Sequence, residues 1–521
     1  TGIGCTVSAK KKPRSFPLSQ VHRLPPRRIR IKESFSRDWK NRQMFILTGL
    51  VSWQTSFRIK KIWRWPSLEI FRMVLIQRSM SDYDLLRYAK QGIIIPLENL
   101  IDKYMPNLQA VFEKYPEYRT MCTAPDGHIY SFPWIEQLGS GKEAIQAIGD
   151  IAYINKKWLD FLGLEIPTTT DELEQVLIQF RDHADELKSE FSIEGDVIPM
   201  SFIINNGDQD PAILINGFGE GYGDTGDHFA VTDEGKVIYT TVQEGYKEGI
   251  QWLHKLASEN LMDPEAFTQE WSTYVAKGKN HRYGLCFTWD IANVDNNVDY
   301  VMLPALTGPG GVRNITRQNN SETSGFDRGR CVLTSSCRNT ALAAAWIDQM
   351  YAPLQSPQNN WGTYGEKDSF NIFELSENKD GNEMLKHLDL GDQSPVEVRE
   401  AQSVNGPLAI LNEYYGVYVT QPEDAKWRLD NMHETYLQDM NSKYVYPNVF
   451  MSIEDTNKVS QYDTDIKKYA EQKKADWILN GGIEKEWDSY LDKMEKYGLS
   501  DYLAIKQKYF DQYQESLSEE K

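Results

Sequence analysis

The sequence predicts an α/β chain that ends in a helical extension. Three observations predict it. Apolar runs of strand length alternate with amphipathic helical stretches from residue 80 to about residue 350. Roughly the last hundred residues carry helix periodicity alone. The composition is globular, 40% hydrophobic and 25% charged, and 521 residues suffice for two or three domains with large cores. The net charge of −18 argues against nucleic acid, whose phosphates need a basic surface. No apolar run reaches the roughly 18 residues of a membrane span; residues 44–53 form the most apolar early stretch and are too short. The five cysteines (Cys5, Cys122, Cys286, Cys331 and Cys337) form no C-x-x-C pair, so no zinc is expected, and no cofactor.

Taken in order, residues 82–92 read as a capped helix closed by Gly92, and 93–100 lead into a second short helix. Pro125, Asp126 and Gly127 mark a turn before a strand over 128–134, with Tyr130, Phe132 and Trp134 on one face. Residues 153–180 read as strand, helix, turn, helix. Trp158, Leu159, Phe161 and Leu162 face the first helix inward, and Gly163 sits where a helix end wants positive φ. Thr169 and Glu172 have capping-box spacing, and Leu173, Val176, Leu177 and Phe180 repeat at helical intervals. A strand over 198–204 opens onto the polar loop 205–210, which holds Asn205 and Asp208. Residues 241–259 form an amphipathic helix with Tyr246, Ile250, Leu253 and Leu256 inside. A strand over 283–294 runs into a loop at Trp289 and Asp290. A strand over 331–335, a helix over 339–351 and a loop over 361–365 precede the helices at 466–477 and 487–497.

Several chemistries lack their motifs. No G-x-x-x-x-G-K-[ST] loop, G-x-S-x-G elbow or H-E-x-x-H pair occurs, and G-F-G-E-G-Y-G lacks the strand-to-helix setting of a dinucleotide site.

The segments I-P-L-E-N-L-I-D, W-L-H-K-L-A-S-E-N-L-M-D-P-E and A-A-A-W-I-D-Q-M-Y, with the 153–180 unit and the aromatic-rich C-terminus, stand in an order and spacing that resembles the extracellular solute-binding proteins (family 1) of ABC transporters for sugars and oligosaccharides, over residues 80–521. The resemblance implies a two-lobed periplasmic-binding-protein type II fold with a helical C-terminal extension. It implies one lobe from 80–152 and 303–345 and a second from 153–302 and 346–521, hinged near 149–155 and 302–307. It implies no enzymatic activity, an oligosaccharide held between the lobes, delivery to the permease subunits, a monomer, and a lipid-anchored place on the extracellular face of the cell membrane. Cys5 has a loose likeness to the lipid-attachment cysteine, although Gly2 stands where an aliphatic residue belongs. Many relatives carry a D-x-N-x-D-G-type calcium loop before the strand at 198. Here S-E-F-S-I-E-G-D-V-I-P lacks the alternating oxygen ligands, so no calcium is expected.

Sugars offer C–H faces that stack on aromatic rings and hydroxyls that need dense hydrogen bonding. The expected ligand shell is therefore Asp82, Trp134, Glu136, Asn205, Asp208, Trp289, Asp290 and Trp361. Two other readings compete. A glycoside hydrolase would set Glu136 and Asp290 about 5–9.5 Å apart across one glycosidic bond. A surface adhesin would have no closable cleft.

Residues 1–79 break the pattern. They hold 18 Lys/Arg and three acids (Glu33, Asp38, Glu69), a net of +15, and leave 39 basic and 72 acidic residues to the remainder, a net of −33. One reading is a basic, disordered tail, and a sharper one is a shifted reading frame. Codons built from the last base of one and the first two of the next make 61–74 compatible with N-L-A-L-A-x-x-G-D-F-P-D-G, and 39–49 with E-[EK]-Q-T-N-V-H-I-[ND]-W. Both strings are similar to hallmarks of the same family, so 1–79 is expected to be wrong-frame, with the frame restored near 79–82.

Overall fold

A computed structural model of the chain describes the strand backbones 44–47, 50–53 and 74–77 and residues 80–519, apart from 138–146, 319–324, 366–370, 391–394, 405 and 422. The rest of residues 1–79, the segment expected to be wrong-frame, lies outside the described residues, and Cys5 with it.

Two sheets organise the described residues. The first runs in the order Met44–Leu47, Leu50–Trp53, Val74–Gln77, Phe326–Leu333, Phe132–Glu136, Leu408–Ile410. The second runs Tyr300–Met302, Ala152–Asn155, Tyr283–Phe287, Ile198–Ser201. In the first, Phe132–Glu136 pairs parallel with Leu408–Ile410 and antiparallel with Phe326–Leu333, which is antiparallel to Val74–Gln77. Gln77, Glu136 and Ile410 therefore end, and Phe326 begins, at one edge. In the second, Tyr283–Phe287 is parallel to Ile198–Ser201 and antiparallel to Ala152–Asn155, which is antiparallel to Tyr300–Met302. Ser201, Phe287 and Met302 end, and Ala152 begins, at one edge there too. The chain passes between lobes from Glu136 to Ala152 and from Met302 to Phe326, so it is these two edges that the crossings join. Ligands of open α/β sheets bind at such carboxyl ends.

The local signals at 153–180 hold. Asn155 caps helix Lys156–Leu162, accepting from the Trp158 N–H at 3.1 Å, and Gly163 closes it at φ +66°. Thr169 and Glu172 form the reciprocal capping box of helix Thr170–Asp182, and Trp158 meets Phe180 edge-on at 5.3 Å. Phe161 departs from expectation. It stays 42% exposed and packs edge-on against Phe191, because Trp158 and Leu159 already fill the inward stripe.

Three expectations are corrected. The strand expected at 128–134 lies at Phe132–Glu136, because pairing on both sides sets the register; Ile129 is held instead by Leu97 and Glu98, and Tyr130 donates to Asp126. Trp361 closes helix Gln355–Trp361 and is buried, where a loop was expected. The chain does not return to the second lobe at 346. Helix Thr340–Asp348 packs on Glu98–Tyr104, helix Gln355–Trp361 packs on Leu408–Ile410, and that strand completes the first sheet. The return comes later, where helix Glu423–Tyr436 meets Tyr300–Met302.

The helical extension straps the lobes together. Helix Ile453–Asn480 packs on Glu244–Ser258 of the second lobe and on Asp82–Lys90 of the first. Among the described residues no helix is long and apolar enough to cross a membrane. Cys122, Cys286 and Cys331 are buried free thiols, and burial pushes Cys122 up to about 12.

Candidate functional site

The first lobe contributes the end of strand Phe132–Glu136. Side chains two apart share a sheet face, so Trp134 and Glu136 project the same way. Trp134 is half-buried, and strand pairing sets it directly opposite Asp327. The guanidinium of Arg330 lies over its ring, 4.9 Å from the centre, and is held by Asp327 at 2.5 Å. Glu136 is 1% exposed. Its carboxylate accepts from Asn360 Nδ2 at 2.6 Å and from Arg399 Nη2 at 2.7 Å, and Arg399 also donates to Asn360 Oδ1 at 2.6 Å. Trp361 sits beneath, edge-on to His387 at 5.1 Å and 6.0 Å from the Arg399 guanidinium. Glu136 therefore orients Asn360 and Arg399 from a buried position.

The second lobe contributes the turn after Tyr283–Phe287. Asp290 caps a short helical turn, accepting from the Ala292 N–H at 3.0 Å, and accepts Arg428 Nη1 at 2.9 Å through its other oxygen. Arg428, on helix Glu423–Tyr436, lies 3.7 Å over the Trp289 ring. Trp289 is half-buried and Arg428 fully buried.

Asp82, Asn205 and Asp208 line one cavity of about 850 Å³ together with Thr316, Tyr444 and Tyr446, within the range of ligand pockets. Asp82, the first residue of its helix, pairs with Arg328 at 3.1 Å, and burial raises its carboxyl against that opposing charge. Asn205 adopts φ +58°, donates its N–H to Asp210 at 2.6 Å and its side chain to the Glu471 carbonyl at 3.1 Å. Asp208 opens to the cavity, where surrounding protein raises its carboxyl against the Arg428 charge.

The eight expected residues thus fall into three groups: Trp134, Glu136 and Trp361; Trp289 and Asp290; Asp82, Asn205 and Asp208. Asp82, Glu136, Asn205, Asp208, Trp289 and Asp290 belong to the two joined sheet edges or the turns leaving them. Trp361 belongs to neither and serves as packing. Sequence reasoning missed Arg330, Asn360, Arg399 and Arg428. Asn360, Arg399 and Arg428 meet their partners only through the tertiary fold, and Arg330, although its partner Asp327 is three residues away, reaches Trp134 only across strands. Arg282 and Arg313 lie elsewhere: Arg282 donates to the Asp196 carbonyl at 2.9 Å, and Arg313 pairs with Asp439 at 2.9 Å. The arrangement presents aromatic faces and polar donors, and both carboxylates of the hydrolase reading are tied up by arginines.

No family model matches the chain. The fructooligosaccharide ABC transporter substrate-binding protein FusA of Streptococcus pneumoniae is 50% identical over 435 residues, 83% of this chain and 79% of that protein. The chain belongs to the substrate-binding proteins of ABC transporters. Solved structures of FusA, one with kestose and one an EF-hand mutant with fructo-nystose, match at TM-score 0.78 and 48% identity, covering 85% of this chain and 88% of theirs. An HMO-binding ABC-transporter-associated solute-binding protein from Bifidobacterium longum infantis matches at TM-score 0.68 and 24% identity over 84% of this chain and 87% of its own, a likeness of fold alone. As a member of this family the chain is the extracellular substrate-binding component of an ABC importer, with the two-lobed fold and no catalytic role, and the hydrolase reading falls. In the stretch S-E-F-S-I-E-G-D-V-I-P the Arg282 guanidinium lies 3.0 Å from where a Cβ on Gly195 would stand. Among the described residues no group of three or more His, Cys, Asp or Glu is placed to hold a metal.

Proposed function

We propose that the chain binds fructooligosaccharides of the kestose and nystose class between its lobes and hands them to the permease as a monomer. The likeness to FusA over most of both chains carries this reading, since FusA has been crystallised with these sugars. The half-buried Trp134 and Trp289, one in each lobe, support it as stacking faces. Asn360 and Arg399 on one side, and Asp82, Asn205 and Asp208 around the cavity, supply hydrogen bonds for hydroxyls. Glu136 and Asp290 act behind them by fixing arginines. The lobes are read as 80–136 with 326–414 and as 152–302 with 423–436, strapped by the C-terminal helices. Lipid anchoring at the membrane face belongs to the same reading, and partition of the exported, frame-repaired protein into detergent tests it.

Calorimetric titration of frame-repaired protein with kestose, nystose, mannan and pectic oligosaccharides tests the ligand, with each mixture checked for cleavage. The expected result is saturable binding of the fructans and intact sugar. Binding of a different oligosaccharide class, with fructans silent, sinks the substrate assignment. Trp289→Ala and Trp134→Ala should each weaken kestose binding about tenfold, the scale of one lost aromatic stack.

A further inference from the structure

Both platform tryptophans are built alike, although they sit in different lobes and share no sequence context. Trp134 has Arg330 over its ring at 4.9 Å, and Arg330 is ion-paired to Asp327 at 2.5 Å. Trp289 has Arg428 over its ring at 3.7 Å, and Arg428 is ion-paired to Asp290 at 2.9 Å. In each case the acid stands beside the tryptophan it serves: Asp290 follows Trp289 in the chain, and Asp327 is its cross-strand partner in the other lobe. Trp361 supplies the contrast. Its nearest arginine is 6.0 Å away, and Phe373 and His387 cover it so that it is only 9% exposed.

A flat guanidinium lying on one face of an indole fixes the ring plane and occupies that face. The acid fixes the guanidinium in turn. A ring held this way loses little freedom when a sugar stacks on it, so binding is not weakened by ordering the platform. We propose that Arg330 and Arg428 are positioning residues that back the two platforms, so that each lobe offers a sugar one pre-set aromatic face. This rests on the reading of the cleft as the sugar site. It goes beyond that reading in making affinity depend on two arginines that need not touch the ligand.

The test pairs binding with a ligand-free signal. Arg330→Ala removes the backing of Trp134 in the first lobe. In the second lobe Arg428→Met with Asp290→Asn avoids leaving a buried carboxylate unpaired and keeps a capping side chain. Each variant should bind kestose about five- to tenfold more weakly with a near-unchanged melting temperature. Arg330→Lys should recover part of the loss. The Arg330→Ala penalty should vanish in a Trp134→Ala background, since the arginine acts through the ring. In protein labelled with 5-fluorotryptophan, the ¹⁹F resonances of Trp134 and Trp289, assigned by Trp→Phe variants, should move and broaden without ligand present. An equal penalty in the Trp134→Ala background would show Arg330 acting on its own account and overturn the proposal. Unmoved fluorine signals overturn it as well. If the unaltered protein binds neither kestose nor nystose, the substrate reading fails, while the ligand-free fluorine signals still decide whether the arginines position the rings.

Discussion

Asp150 stands buried where the chain enters the second lobe. Its oxygens accept from the Ile213 N–H at 3.0 Å and from Gln318 Nε2 at 3.2 Å, and burial together with the nearby Asp210 pushes its carboxyl up to about 8. The folded protein therefore holds a proton there that an unfolded chain releases near pH 4. Below that pH both states are protonated. Between about pH 4 and 8 the folded state binds more protons, so this residue's contribution to stability falls as pH rises, and it levels off above 8. His387 works in a different window. Burial against Trp361 and Phe373 lowers it to about 3, so its contribution is present above about pH 6.5 and is lost as pH falls from there toward 3. Asp150→Asn should therefore gain on the unaltered protein steadily from pH 6.5 to 8, where His387 is silent. Urea unfolding at half-unit pH steps measures this, and a constant difference across the window would refute the assignment.

Helix Ile453–Asn480 is held by a charge as well as by its apolar stripe. Lys474 is fully buried and reaches Asp210 at 2.6 Å and Asp224 at 3.4 Å, and Asp224 also accepts from His228 and Thr240. Burial disfavours a charge on Asp224, but His228 and Lys474 outweigh it and hold the carboxyl well below its usual range. Lys474→Met would strand two buried carboxylates. The expected loss is about 3–5 kcal/mol, read by chemical denaturation, because breaking a buried pair on one side leaves the other side uncompensated. A second element contact depends on missing side chains. Gly217 and Gly308 meet backbone to backbone, and a Cβ on Gly308 would stand 2.1 Å from the Gly217 carbonyl oxygen. Gly308→Ala should cost about 1–3 kcal/mol by forcing apart the polar loop after the second sheet and the return crossing.

At the scale of the molecule, the crossings and the C-terminal strap join the two sheets. Ligand closure is then a hinge motion, and kestose should lower the radius of gyration seen by small-angle scattering. The strap sets how far the hinge swings, since helix Ile453–Asn480 contacts both lobes. Residues 80–521 carry a net of −33, a field that repels anions. Binding of a neutral fructan should be nearly indifferent to salt, changing less than about twofold between 50 and 500 mM, whereas a uronic-acid oligomer would show a steep dependence. Titrations at the two salt concentrations separate these ligands.

Much that depends on neighbours three or four residues apart was legible in the sequence: the Thr169 cap, the Gly163 stop, and the buried stripes of Thr170–Asp182 and Glu244–Ser258. The order of such units pointed to the two-lobed fold, and the turns after strands pointed to Asn205, Asp208, Trp289 and Asp290. The strand at Phe132–Glu136 was misplaced, because its register is set by partners near residues 326 and 408. The arginines were invisible for the same reason. Arg428 meets Asp290 across 138 residues and Arg399 meets Glu136 across 263, and no periodicity links positions so far apart. The sequence by itself determined the helices, their caps and the side-chain chemistry on the strand-end turns. Only the tertiary structure decided which lobe holds residues 346–410, which carboxylates are paired with arginines, and that Trp361 is buried while Trp134 and Trp289 stay half-buried, because burial and charge pairing are properties of surfaces that exist only once distant segments have packed.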